Sequence, residues 1–72
     1  MDRSRQLQHL EEAEKHVLRG GQTISDQERR IEELDRHGQD ATLARSLLET
    51  FLWTQTQFVA HRDQILKELD DA

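Results

Sequence analysis

The chain has 72 residues, neither cysteine nor proline, and a formal net charge of −5 from 10 Lys and Arg against 15 Asp and Glu. Without cysteine, a domain of this size has a metal or a second subunit as its remaining means of reinforcing a small core. Charges of both signs are spread evenly and no apolar stretch resembles a signal peptide or a membrane span, so we expect a cytoplasmic protein with no membrane contact and little affinity for nucleic acid.

The first predicted helix spans about residues 3–37, and Asp2 or Ser4 provides an N-cap oxygen at its start. Apolar residues spaced seven apart form position a of a heptad repeat, namely Leu10, Val17, Ile24 and Ile31. Position d is held by Ala13, Gly20, Gln27 and Leu34. Because most of these d residues are small or polar, the first helix has a single narrow apolar seam.

Gly20 and Gly21 lie inside this repeat. The heptad keeps one phase on both sides of the pair, which favours a single helix, continuous or kinked, through both glycines. Ser25 and Glu28 match the S-x-x-E capping box, so a broken helix that restarts after the glycines is the alternative. In an antiparallel hairpin the pair faces Phe58, and the missing glycine side chains leave room for that ring.

The clearest boundary is a turn at residues 38–40. Gly38 supplies the left-handed backbone that ends a helix, and Asp40 is an N-cap for the helix that follows. The second helix is predicted over about residues 41–69, because the aspartates beyond it interact unfavourably with the negative end of the helix dipole. Residues 1–72 therefore form one all-α domain, a long antiparallel helical hairpin.

The second helix has a wide apolar face made of two stripes. The first stripe consists of Ala44, Leu47, Leu48, Phe51, Phe58, Ile65 and Leu69. The second stripe, beside it, consists of Leu52, Val59 and Leu66. One neighbouring helix covers one stripe, so we expect the second stripe to pack against another copy of the chain in a dimeric four-helix bundle. A monomer whose first helix lies across both stripes is the alternative.

Some polar and aromatic residues are candidates for a functional role. Thr54 or Gln55 points into the apolar face, where a buried polar layer usually sets the register of helices. Trp53 points away from Phe51, so it is either a contact for another protein or a lone surface aromatic.

The sequence gives little support for a metal site or for catalysis. His9, Glu12 and His16 share one helical ridge but lack a further converging ligand, so we expect no metal site. The chain contains no acid–base–nucleophile pattern and no phosphate-binding glycine loop, and a narrow hairpin encloses no substrate-sized pocket. We therefore expect neither catalysis nor a cofactor.

Two stretches of the chain, HLEEAEKHV at 9–17 and GQDATLARSLLETF at 38–51, resemble known sequences. They resemble short uncharacterised helical proteins of proteobacteria, especially the rhizobial alphaproteobacteria, which implies a bacterial cytoplasmic origin and no site. In architecture the chain also resembles small RNA-binding hairpin dimers such as the plasmid copy-number regulator Rop.

Two functions are consistent with these features. The first is a protein-interaction or regulatory module that acts as a homodimer, with an interface containing Leu52, Val59, Leu66 and Trp53. The alternative is nucleic-acid binding in the manner of Rop, which the missing basic face does not support.

Overall fold

Two antiparallel helices make up the fold in the computed structural model, which describes residues 2–71. Helix α1 is Arg3–Arg36 and helix α2 is Thr42–Asp71. The hairpin measures 55 × 14 × 13 Å, and its length follows from the rise of about 1.5 Å per residue along each helix. The predicted all-α hairpin is confirmed, and α2 continues past its predicted end to Asp71.

Helix α1 passes through Gly20 and Gly21 without interruption. Both glycines have ordinary negative φ, because the positive φ among residues 2–71 belongs to Gly38. The single phase of the heptad repeat therefore indicated a continuous helix correctly, and the alternative of a new helix near Ser25 is wrong. Each glycine costs about 1 kcal/mol of helix propensity, a loss that contacts with α2 must offset.

Side-chain oxygens cap the N-termini of both helices, as predicted. Oδ1 of Asp2 accepts a hydrogen bond of 3.0 Å from the backbone N–H of Ser4. Oδ1 of Asp40 accepts one of 3.0 Å from the backbone N–H of Thr42 and one of 2.7 Å from the Thr42 hydroxyl. The hydroxyl bond, followed by the backbone bond, lowers the pKa of the Asp40 carboxyl below its ordinary value, because both donors favour the charged form.

Helix α1 ends in a Schellman motif around Gly38, whose φ is +67°. The N–H of Gln39 donates to the carbonyl of Leu34 at 2.8 Å, and the N–H of Gly38 donates to the carbonyl of Asp35 at 3.1 Å. These are the two hydrogen bonds that define the motif. The predicted turn is confirmed, and the chain then enters α2 through the buried Ala41.

The heptad rows predicted for α1 form its contact with α2. The position a residues are half-buried along this seam: Leu10, Val17, Ile24 and Ile31. The fully buried apolar residues are Ala13, Ala41, Ala44 and Ile65. Most of the core is therefore made of alanine, and the larger side chains other than Ile65 keep part of their surface in solvent. Leu47 is 43% exposed, so its predicted place on the seam is wrong, because it lies at the outer edge of its stripe.

Candidate interaction surfaces

Two glutamines link the helices across the seam. Nε2 of Gln27 in α1 donates to the backbone carbonyl of Ala44 in α2 at 2.9 Å. Nε2 of Gln55 in α2 donates to the carbonyl of Val17 in α1 at 2.8 Å. A carbonyl oxygen has a second lone pair, so each bond adds to the helix hydrogen bond already present. Sliding one helix along the other would break both bonds, and the pair therefore fixes the register.

The side chain of Gln55 lies over Gly20. An ideal Cβ built on Gly20 would come within 2.9 Å of Cδ of Gln55 and within 3.4 Å of Cδ2 of Phe58. An ideal Cβ on Gly21 would come near Gln55 alone, with Nε2 at 4.0 Å. The predicted notch therefore belongs to Gly20, and the amide of Gln55 fills it more than the ring of Phe58 does.

Oε1 of Gln55 is buried and accepts no hydrogen bond from residues 2–71. It lies where the Cβ of a larger residue at Gly20 would stand. The Cα hydrogens of a glycine offer a weak donor at such a place. A Cβ at this position would force the Gln55 amide, which donates to the carbonyl of Val17 on the other helix, to shift.

One side of the hairpin carries an apolar surface, which we call the Val59 face. Helix α2 contributes Leu52, Val59 and Leu66, and α1 contributes Leu7 and Leu18. Leu18 is 65% exposed, Leu7 48%, Leu52 46% and Leu66 39%, while Val59 is half-buried. The second stripe of the sequence prediction is thus covered only in part by α1, and the exposed parts of Leu52 and Leu66 face away from the seam.

The edges of the Val59 face are acidic. An ion pair of 2.7 Å between Arg45 of α2 and Asp35 of α1 joins the helices on this side. Leu52 follows Arg45 by one heptad, and Leu7 precedes Asp35 by a whole number of heptads, which places these residues on the same side. The other charged residues of these edge rows are Glu11, Glu14, Glu28, Glu32, Glu49, Asp63 and Asp70.

The opposite side of the hairpin contains a groove of about 200 Å³, which we call the Phe58 groove. Its lining residues are His16, Arg19, Gly20, Thr23, Phe51, Thr54 and Phe58. The ring of His16 packs on Phe58 with centroids 5.2 Å apart and planes tilted by 31°. A hydrogen bond of 2.6 Å from Gln6 to Glu68 joins the two helices on this side.

Ion pairs occupy several of the cationic side chains. Lys15 lies 3.5 Å from Glu11, and Arg62 lies 3.0 Å from Asp63. Such exposed pairs contribute little to stability. They place a carboxylate beside Lys15 and Arg62, and acidic residues are interleaved with the other cations along the sequence, so the described helices do not form the basic stripe that contacts with phosphates require.

The remaining residues singled out from the sequence lie apart from one another. Trp53 is 66% exposed on the outer side of α2, away from the seam. Within residues 2–71, no three His, Cys, Asp or Glu side chains are grouped so that they could hold a metal ion. His9 lies on the surface with Nδ1 3.3 Å from Oε1 of Gln6, and His16 packs on Phe58 in the lining of the Phe58 groove.

The Phe58 groove was missed in the sequence because its walls come from both helices. One local signal could have pointed to it. The positions three and four residues from Arg19 hold Lys15, His16, Gln22 and Thr23, none of which is acidic. An arginine without a carboxylate at these positions has no ion pair on its own helix.

The described helices contain no stretch long and apolar enough to cross a membrane. Comparison with protein-family models, with curated proteins and with solved structures gives no match to this chain. A function for the protein is therefore inferred from its two surfaces, the Val59 face and the Phe58 groove.

Proposed function

We propose that the protein is a protein-interaction module that acts as a homodimer, with the Val59 face of one copy packed on the Val59 face of a second in a four-helix bundle. The observation that carries the proposal is the exposure of Leu52 and Leu66 beside the half-buried Val59. Exposed apolar side chains grouped on one side of a helix pair are typical of an interaction site. Two copies related by a two-fold axis would cover it on both.

The accessible area of the single hairpin supports this proposal. The chain exposes 5683 Å², whereas a compact folded chain of 8.5 kDa exposes about 4,700 Å². The excess of about 1,000 Å² is close to the roughly 800 Å² that each partner buries in a standard interface. The elongated hairpin, 55 × 14 × 13 Å in size, thus exposes more surface than a compact chain of its mass, and burying one side against a second copy would remove much of this excess.

The shape of α1 beside Gly21 also supports the proposal. A shallow depression of about 570 Å³ lies on this part of α1, between Leu18 and Arg29, with Gly21 and Ser25 in its lining. Paired helices pack by inserting side chains of one helix between those of the other. A depression over a glycine can receive such a side chain from the second copy.

Trp53 lies outside the proposed dimer contact. It is exposed on the outer side of α2, and tryptophan is enriched at the centres of protein interfaces. We assign it to the contact with another protein, which leaves the dimer itself to the Val59 face. The second copy of the chain and the other protein would then bind to different sides of the hairpin.

The proposal is tested by sedimentation of the purified chain over a wide range of concentration. The double variant Leu52→Gln, Leu66→Gln replaces two exposed leucines with a residue that favours helix as strongly. Full burial of a leucine contributes about 1.5–3 kcal/mol, and Leu52 and Leu66 still expose 46% and 39% of their surface. Because two copies bury four such leucines, we expect the double variant to weaken the dimer by roughly 100-fold. Circular dichroism should report an unchanged helix content.

The matched control is Trp53→Gln, which removes a larger exposed side chain from the same helix on another side. It should sediment as the unaltered chain does. A monomer at every concentration for the unaltered chain, or a double variant that dimerises as tightly, would contradict the proposal. Loss of the dimer in the control alone would move the contact to the outer side of α2.

A further inference from the structure

The Phe58 groove combines apolar walls with a single strong cation. Phe51 and Phe58 line it from α2, Gly20 lines it from α1, and Arg19 lies at its rim with Thr54 across from it. A pocket with an apolar body and a few convergent polar groups is the usual form of a site for a small molecule. The groove lies on the side of the hairpin opposite to the Val59 face.

Arg19 is the cationic arginine of this group. No carboxylate of residues 2–71 lies within 4.0 Å of its guanidinium, as is also true of Arg3, Arg5, Arg30 and Arg36, but of these arginines Arg19 is the one that lines the groove. The groove residues across from it on α2 are uncharged, with Thr54 and Phe58 among them. In a chain with 15 acidic residues, the rim of this groove therefore has an arginine that the protein itself does not neutralise.

The size of the groove limits what it can hold. Its volume of about 200 Å³ is below the roughly 300–1,000 Å³ of sites for larger ligands. An apolar cavity of about 150 Å³ holds a benzene ring. The groove therefore has room for one six-membered ring with a short polar substituent.

We propose that the Phe58 groove binds a small aromatic carboxylate, with the ring between Phe51 and Phe58 and the carboxylate on Arg19. Aromatic rings attract one another in offset or edge-to-face arrangements. Phe51 lines the groove, and Phe58 lines it beside His16, whose ring already packs on one part of the Phe58 ring. The planar guanidinium matches a carboxylate through two parallel hydrogen bonds. The hydroxyl of Thr54 lies across the groove and can donate a further hydrogen bond. This site is separate from the proposed dimer contact.

The test is a titration of the isotope-labelled chain with sodium phenylacetate, followed by backbone amide chemical shifts. We expect saturable shifts confined to the residues around Gly20, Thr23 and Thr54. Arg19→Gln should weaken binding roughly tenfold or more, because it removes a charge-assisted pair of hydrogen bonds. The neutral analogue 2-phenylethanol should bind the unaltered chain more weakly by a similar factor.

Arg30→Gln is the matched control, because it makes the same change of charge on α1 outside the groove lining. It should bind phenylacetate as the unaltered chain does. Equal affinity in Arg19→Gln, or shifts spread over the Val59 face, would overturn the proposal. Repeating the titration with the Leu52→Gln, Leu66→Gln variant separates the two proposals, since binding in the groove should persist whether or not the chain dimerises.

Discussion

Gly20 and Gly21 are neighbours in the sequence with different surroundings in the fold. At Gly21 an added methyl group would meet one Gln55 atom at ordinary contact distance, whereas at Gly20 it would displace the Gln55 amide. Alanine exceeds glycine by about 1 kcal/mol in helix propensity. We therefore expect Gly21→Ala to stabilise the hairpin by about 1 kcal/mol, and Gly20→Ala to give no such gain. Urea denaturation of both variants measures the difference, in the Leu52→Gln, Leu66→Gln background, because the depression over Gly21 is part of the proposed dimer contact.

Repeating both substitutions in a chain that also carries Gln55→Ala tests whether the Gln55 amide causes the difference. In a Gln55→Ala chain no amide opposes the added methyl group. Gly20→Ala should then stabilise the hairpin by the full difference in helix propensity, and the gain in stability should equal that of Gly21→Ala. Gly20→Leu should destabilise the chain in either background, because Phe58 lies at 3.4 Å from the same point and overpacking forces side chains from their rotamers. A stabilising Gly20→Leu would contradict the close packing described for this notch.

The N-terminus of α2 depends on the charge state of Asp40. Hydrogen bonds from Thr42 lower the pKa of this carboxyl from its ordinary value of 3.8, so its contribution to stability is present above that value and is lost as the pH falls through the lowered pKa. Asp40→Asn keeps an acceptor for the cap but does not titrate. The melting temperature of the unaltered chain should exceed that of Asp40→Asn at neutral pH, and this difference should disappear in acid. A difference that stays constant with pH would contradict the assignment.

The two helices were predictable because their signals are local or periodic. Gly38 and Asp40 mark the turn through backbone geometry and capping, which depend on a few adjacent residues. The rows of heptad residues identify the seam without knowledge of the other helix. The hydrogen bonds of Gln27 and Gln55 were not fully predictable, because their acceptors depend on the relative position of the helices to within one turn. The Phe58 groove was not predictable for the same reason, since its two walls meet only in the folded hairpin.

On the scale of the whole molecule, the acidic edges of the Val59 face oppose the association of two copies. Like charges at exposed positions cost a few tenths of a kcal/mol each, whereas burial of apolar surface contributes about 25 cal/mol per Å². Over an interface of standard size the apolar term is the larger. The repulsion should make the affinity of the dimer depend on salt concentration, because the Debye length falls from about 10 Å at 0.1 M to about 3 Å at 1 M.

We therefore expect the dimer to tighten as sodium chloride is raised, in sedimentation at fixed protein concentration. Glu14→Gln and Glu28→Gln together should tighten the dimer at low salt and reduce the effect of added salt. Glu12→Gln, on the other side of α1, is the control and should leave the salt dependence as it is. A dimer that weakens with salt would indicate that attraction between charges holds it together.

The glutamine bridges also imply an order of folding. The bonds across the hairpin join residues separated by 17 positions for Gln27 and Ala44, by 38 for Gln55 and Val17, and by 62 for Gln6 and Glu68. Because the entropy lost on closing a loop grows with its length, the bond nearest the turn closes at the lowest cost and each later one closes a loop already shortened by its predecessor. We therefore expect the hairpin to zip from Gly38 toward the chain ends and to open on heating in the reverse direction, starting where Gln6 meets Glu68.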